Sequence, residues 1–269
     1  MNIKKLINQV VIFIVAIVCS FNPAFAQDSS KVSVDLGTDM VSRYVWRGTQ
    51  FGGRSPNIQP FAEMGIGNFV FGTWGAYTMG GTNRSQELDF YAGYSFLDDK
   101  VSMTVTDYYF PGETSDYQYF DYGKNTTGHV FEATASFNGT DKIPFSALIA
   151  TNFYGADATR ISDDPANLNN ADGIQYSTYM EIGFASSCKS VDLDAFLGIN
   201  LTAPRQEDLA GTGFVGESGF YGDNMGVVNL GFALSKEIEV SGKFNLPVMV
   251  SVITNPQTQK MFMVFGFSL

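Results

Sequence analysis

The chain has 269 residues, with 27 Asp and Glu against 16 Lys and Arg and a formal net charge of −11. This acidic balance, without a Lys/Arg cluster, argues against a nucleic-acid partner, because phosphate binding needs basic patches. Two cysteines, Cys19 and Cys188, leave little room for a disulfide framework.

Lys4 and Lys5 precede an apolar run from Val10 to Val18, and Ala24-Phe25-Ala26 supplies small residues two apart. The pattern predicts a secretory signal peptide over residues 1–26, too short to span a bilayer. Its removal takes Lys4, Lys5 and Cys19, moves the formal charge to −13 and leaves Cys188 alone. Residues 27–269 contain no apolar run of membrane-helix length and no compositional break, so they are expected to form one domain.

Instead, apolar and polar residues alternate in twelve runs rich in Val, Phe, Tyr and Thr, at about 31–47, 56–67, 69–79, 86–97, 100–110, 128–137, 143–154, 174–185, 190–202, 226–235, 246–254 and 259–269. The links between them alternate long and short, except for a longer link at Lys236 to Asn245 and a short one at Asn255 to Thr258. A soluble sandwich also has alternating strands. The lengths, link pattern and leader together point to an all-β transmembrane antiparallel up-and-down β-barrel of about 12 strands, with short periplasmic turns and long extracellular loops.

The last run gives the faces. Met261, Met263, Phe265, Phe267 and Leu269 share one parity; Phe262, Val264, Gly266 and Ser268 share the other. The first face suits lipid, and the strand as a whole reads as the signal met by the barrel-assembly machinery. Holding Arg or Lys against mid-bilayer lipid costs about 2–4 kcal/mol, and carboxylates less, so the charged parity is expected inside. That rule predicts a lumen lined by Asp35, Asp39, Glu63, Glu87, Asp89, Glu132, Glu181, Asp192 and Asp194, with Arg43 and Arg47 opposite. Tyr44, Trp46, Tyr77, Tyr109 and Tyr176 are expected in an aromatic girdle near the outer strand ends.

Ser42-Arg43-Tyr44-Val45-Trp46-Arg47-Gly48-Thr49-Gln50 resembles the S-x-Y-x-x-R-G opening of the TorF porin family. Pro56 to Pro60, Gly72 to Gly75, Glu87 to Tyr94 and Asn255-Pro256-Gln257 with the terminal strand resemble later motifs of that family. The resemblance implies an outer-membrane barrel with a porin role and names no substrate.

Catalysis has weak footing in the sequence. The one histidine, His129, lacks the His-x-Ser pairing that would activate a hydroxyl. No catalytic residue, metal ligand set or cofactor is expected, and Asp157, Asp163, Asp164 and Asp172 read as a solvated loop. The sequence therefore predicts passive diffusion of small cationic or neutral solutes through a narrow acid-lined lumen, with outer-membrane lipid around it. The alternative is a filled, non-conducting barrel, structural or binding a ligand at its surface. The aromatic stretch from Tyr108 to Tyr122 would then be the contact region.

Overall fold

A computed structural model describes residues 32–82, 84–111, 118–140, 142–208 and 211–269; the leader expected over 1–26 lies outside these. The described residues form sixteen strands and no helix. In chain order these are β1 (Val32–Val41), β2 (Tyr44–Trp46), β3 (Thr49–Phe51), β4 (Asn57–Ile66), β5 (Phe69–Thr78), β6 (Gln86–Phe96), β7 (Val101–Tyr109) and β8 (His129–Phe137). They continue with β9 (Phe145–Gly155), β10 (Thr159–Ile161), β11 (Ala171–Ile174), β12 (Thr178–Cys188), β13 (Val191–Asn200), β14 (Gly226–Ser241), β15 (Phe244–Asn255) and β16 (Lys260–Ser268). Twelve of them close an antiparallel barrel in the order β1-β16-β15-β14-β13-β12-β9-β8-β7-β6-β5-β4. The other four make the hairpins β2–β3 and β10–β11. The barrel strands have lengths suited to a tilted membrane crossing.

Closure gives every barrel strand a neighbour on both sides, with the shortest seam between β1 and β16, where Asp39 to Val41 pair with Gly266 to Ser268. Large apolar side chains on the outward parity are bare: Leu36 is 71% exposed and Phe265 55% exposed. Met64, Phe71, Phe90, Met103, Ile149, Phe232 and Met263 continue this surface around the wall. A water-soluble fold buries such residues. An apolar outer surface on a closed barrel is compatible with an outer-membrane location. The same parity rule places all nine sequence-predicted acids on the inner face. Asp35 lies directly across from Glu63, and Glu181 across from Gly198, in the ladders.

Two sequence expectations are corrected. The link read at Lys236 to Asn245 is strand, and β14 turns into β15 through Gly242-Lys243 alone. Alternation persists there, because Ile238 and Val240 point outward while Glu237 and Glu239 take the inner parity. The first run also does not continue to residue 47. It leaves the barrel wall after Val41, and Arg47 and Gly48, at φ 46° and 78°, reverse the chain into β3. Two consecutive positive φ values make the tight turn that suits a hairpin's twist.

The two ends of the barrel differ. Gly67-Asn68, Lys189-Ser190 and Gly242-Lys243 close hairpins at one end, whereas the other end carries the long connections and both small hairpins. The β10–β11 hairpin packs on Glu217, which also binds Arg205. Its Oε1 accepts from Ile161 N at 3.0 Å and Arg205 Nη2 at 2.8 Å, and its Oε2 accepts from Arg205 N at 2.9 Å and Arg160 Nη1 at 3.1 Å. Burial pushes this carboxyl up, but the backbone donors and both guanidiniums outweigh it and hold it below the usual range. A depressed carboxyl stabilises the loop packing above its ordinary pKa of about 4.3 and loses that contribution as pH falls through the lower folded value. Protease cleavage within 201–225 is therefore expected to accelerate on acidification in wild type. Glu217→Gln should already cleave fast at neutral pH, with little further change.

Candidate functional site

The β2–β3 hairpin lies inside the barrel. Its Tyr44 ring is 5.4 Å from Trp74 on β5, and Trp46 is 5.5 Å from Tyr108 on β7. Arg47 pairs with Glu132 on β8 and sits over the Tyr179 ring of β12. Asn255 Nδ2 on β15 donates to Gly48 O at 3.3 Å. One short hairpin can touch five strands around a closed wall only from within. Tyr44 and Trp46, expected in an outer girdle, are therefore lumen residues, because the chain turns inward at Ser42-Arg43. Tyr77 and Tyr176 remain exposed, and Tyr109 is buried.

Arg47 is the hub. Its Nη2 donates to Glu132 Oε1 at 3.0 Å and its Nη1 pairs with Oε2; Nη1 also donates to Tyr221 Oη at 2.7 Å. The guanidinium carbon lies 4.4 Å from the Trp46 ring centroid, 4.6 Å from Tyr179 and 5.3 Å from Tyr221. Aromatic faces stabilise a desolvated guanidinium, which also keeps its planar fork for the carboxylate. Glu132, 1% exposed, accepts further bonds from Tyr108 Oη at 3.0 Å, Thr134 Oγ1 at 2.9 Å and Tyr221 Oη at 2.7 Å. Such saturation is what allows a buried charge pair to persist.

Local irregularities build this cluster. A β-bulge in the β8–β9 ladder falls between Phe131 and Glu132 and pairs Glu132 with Asn152, and a second in β13–β14 sets Asn229 across from Gly198. Bulges re-aim side chains beside functional sites. Gly198 leaves room for Tyr179, since a Cβ there would meet its hydroxyl at 1.9 Å. Tyr179 and Asn229 Nδ2 then both donate to Glu181, the latter at 2.9 Å. Gly48 is similarly constrained, because a Cβ would lie 1.9 Å from Val228 O. Gly48→Ala adds that clash to an αL cost of about 1–2 kcal/mol. The variant is expected to displace the hairpin and weaken the near-UV circular dichroism of Trp46 and Trp74 without removing the far-UV strand signal.

The sequence-predicted residues separate into two levels. Near the loop end, Glu87 at 3% exposure, Asp89 at 5% and Glu132 are buried, with half-buried Glu181 beside them. Toward the short-turn end, Asp35, Asp192 and Asp194 are exposed, and Asp39 and Glu63 are half-buried. Tyr91 Oη donates to Glu63 at 2.9 Å, and Ser268 Oγ donates to Asp39 at 2.6 Å. Among the described residues, only Glu132 of the nine forms an ion pair. Arg43 and Arg47 do not stand on the wall opposite the acids. Arg47 crosses the lumen, and Arg43, just before the hairpin, donates to Gln50 Oε1 at 3.5 Å.

Sequence reading missed Tyr221 and Phe220, which pack in the lumen beside Trp46, and missed Glu237 and Glu239. An aromatic pair in a Gly-rich connection was the available signal for the first. Unbroken alternation past Ser235 was the signal for the second. His129 lies on the outward parity of β8, covered by Tyr119 and Tyr122. Its Nδ1 meets Asp107 Oδ1 at 2.8 Å, and its Nε2 donates to Tyr119 O at 2.7 Å.

Residues 25–155 match a family model described as a bacterial protein of unknown function (Gcw_chp). The match spans just under half of the chain and takes in β1 to β9, with Arg47, Glu87, Asp89, Tyr108 and Glu132. Tyr179, Glu181, Tyr221 and Asn229 lie beyond it. No curated protein matches this chain.

Proposed function

We propose that this protein is an outer-membrane porin of narrow bore, passing small cationic or neutral solutes. Its short-turn end would face the periplasm, and its long loops and mouth the exterior. The observation that carries the reading is the two-level lumen: a solvent-exposed vestibule of carboxylates at the short-turn end, and a hairpin pinned across the lumen at the loop end. The vestibule holds Asp35, Asp192 and Asp194, joined on the inner parity by Glu237 and Glu239. Rings of carboxylates favour cations. The hairpin narrows the route to crevices at its flanks. One of these, about 280 Å³, is bounded by Trp46, Arg47, Thr49, Phe51, Phe110, Phe220 and Tyr221. The TorF-like stretch from Ser42 to Gln50 supports the same reading, since it coincides with the inserted hairpin.

The buried hairpin also favours a second reading, a filled barrel without transport. Swelling of liposomes containing the purified protein separates the two. Entry of small neutral and cationic solutes with exclusion of larger sugars supports the porin, and no swelling with any solute supports the filled barrel. Catalysis is the weaker proposal, since both ring nitrogens of His129 are engaged and neither is free for a nucleophile's proton.

A further inference from the structure

On the flank of the hairpin facing β15 and β16 lies a cavity of about 550 Å³ at the loop end of the lumen. Its lining includes Arg43, Arg54 and Lys260, together with Gln50, Asn255 and Thr258, and contains no carboxylate. None of the three cations forms an ion pair among the described residues. Their neighbours at the loop end behave differently: Arg47 is held by Glu132, and Arg160 and Arg205 by Glu217. The Arg43 Nε is shielded from solvent and has no hydrogen-bond partner.

The sequence excludes local counter-charge. No Asp or Glu occurs between Asp39 and Glu63, or after Glu239, in a chain with 27 of them. These two acid-free stretches are the ones that wall the cavity. Three cations gathered around one recess with no carboxylate in its lining repel one another, and an anion in the recess offsets that repulsion.

We propose that this cavity is a binding site for a compact oxyanion, a phosphate or carboxylate group. The guanidiniums of Arg43 and Arg54 supply forked donors, Lys260 a point charge, and the Thr258 hydroxyl a neutral donor. The cavity lining includes the lumen-facing Asn255 and Phe262, which suits a soluble anion entering the mouth. The site does not depend on the transport reading, and a binding experiment can fail while conductance stands.

The test is isothermal titration of the purified full-length barrel, in zwitterionic detergent, with inorganic phosphate. Wild type is expected to show saturable binding that weakens with added NaCl. Arg54 and Lys260 are exposed, so the double variant Arg54→Gln/Lys260→Gln keeps the barrel, as gel migration before and after heating will verify. That double variant should bind about tenfold or more weakly, the loss expected from two charge-assisted contacts. Lys243→Gln, in the turn at the opposite end, should bind as wild type does. No saturable binding, or equal binding by the double variant, overturns the proposal. Repeating the titration in nanodiscs with and without lipid A separates the sources. Retained phosphate binding assigns a soluble ligand. Loss of phosphate binding only when lipid A is present assigns its phosphate to the same site.

Discussion

Arg47→Ala is expected to destabilise the barrel by about 3–5 kcal/mol, because it leaves Glu132 charged and unpaired in the interior. It is also expected to raise single-channel conductance. The two effects share one cause. Arg47 is the point at which the hairpin is tied across the lumen, through Glu132, Tyr221 and the faces of Trp46 and Tyr179. Without it the hairpin keeps its ring contacts to Trp74 and Tyr108 and the Asn255 bond to Gly48, but loses its charged anchor and is freer to leave the constriction. The stability loss reads out as a lower temperature for the heat-induced shift in gel mobility. Combining Arg47→Ala with Glu132→Gln should recover part of the stability, since the stranded charge is gone, with a coupling energy of about 0.5–3 kcal/mol in the double-mutant cycle. The conductance increase should persist in the double variant, because the tie remains broken. Equal conductance in wild type and Arg47→Ala would show that the hairpin does not limit flow.

The second large effect is on selectivity. Replacing Asp35, Asp192 and Asp194 together by Asn should sharply reduce the preference for cations, measured as a reversal potential moved toward zero under a salt gradient. These side chains are exposed at the short-turn end, with Ser187 Oγ donating to Asp192 at 2.6 Å as a local contact. Each replacement is therefore expected to change stability by no more than about 0.5 kcal/mol. The contrast with Glu132 is the informative part. Carboxylates of one parity, indistinguishable in sequence, should divide into a group that sets selectivity at no structural cost and a group that holds the hairpin. An unchanged reversal potential in the triple variant would remove the vestibule from the account.

Much of the barrel is written in residue parity. Met261 to Leu269 identifies an outward apolar face from nine letters, and the same period sends Asp35 and Glu63 to matching inner positions on paired strands. That rule works because a strand in a wall has two environments and one period. It fails at Ser42-Arg43, where the chain leaves the wall. Tyr44 and Trp46 keep a strand-like pattern there, but the barrel's own interior replaces lipid as their surroundings. The Arg47-Gly48 turn was the local clue. No local pattern could pair Arg47 with Glu132, 85 residues away, or bring Tyr221 to both. Those contacts depend on how long connections fold into the barrel, a property of the closed structure. The basic cavity was hidden for the same reason: Arg54 and Lys260 come from opposite ends of the chain and share a wall only after closure.

Single-channel recording of the purified wild-type protein in a planar bilayer, under a KCl gradient, tests the central claim most directly. The two-level lumen predicts small, discrete conductance steps with a reversal potential of cation-favouring sign. A correctly folded barrel that gives no steps, or a reversal potential of anion-favouring sign, would contradict it.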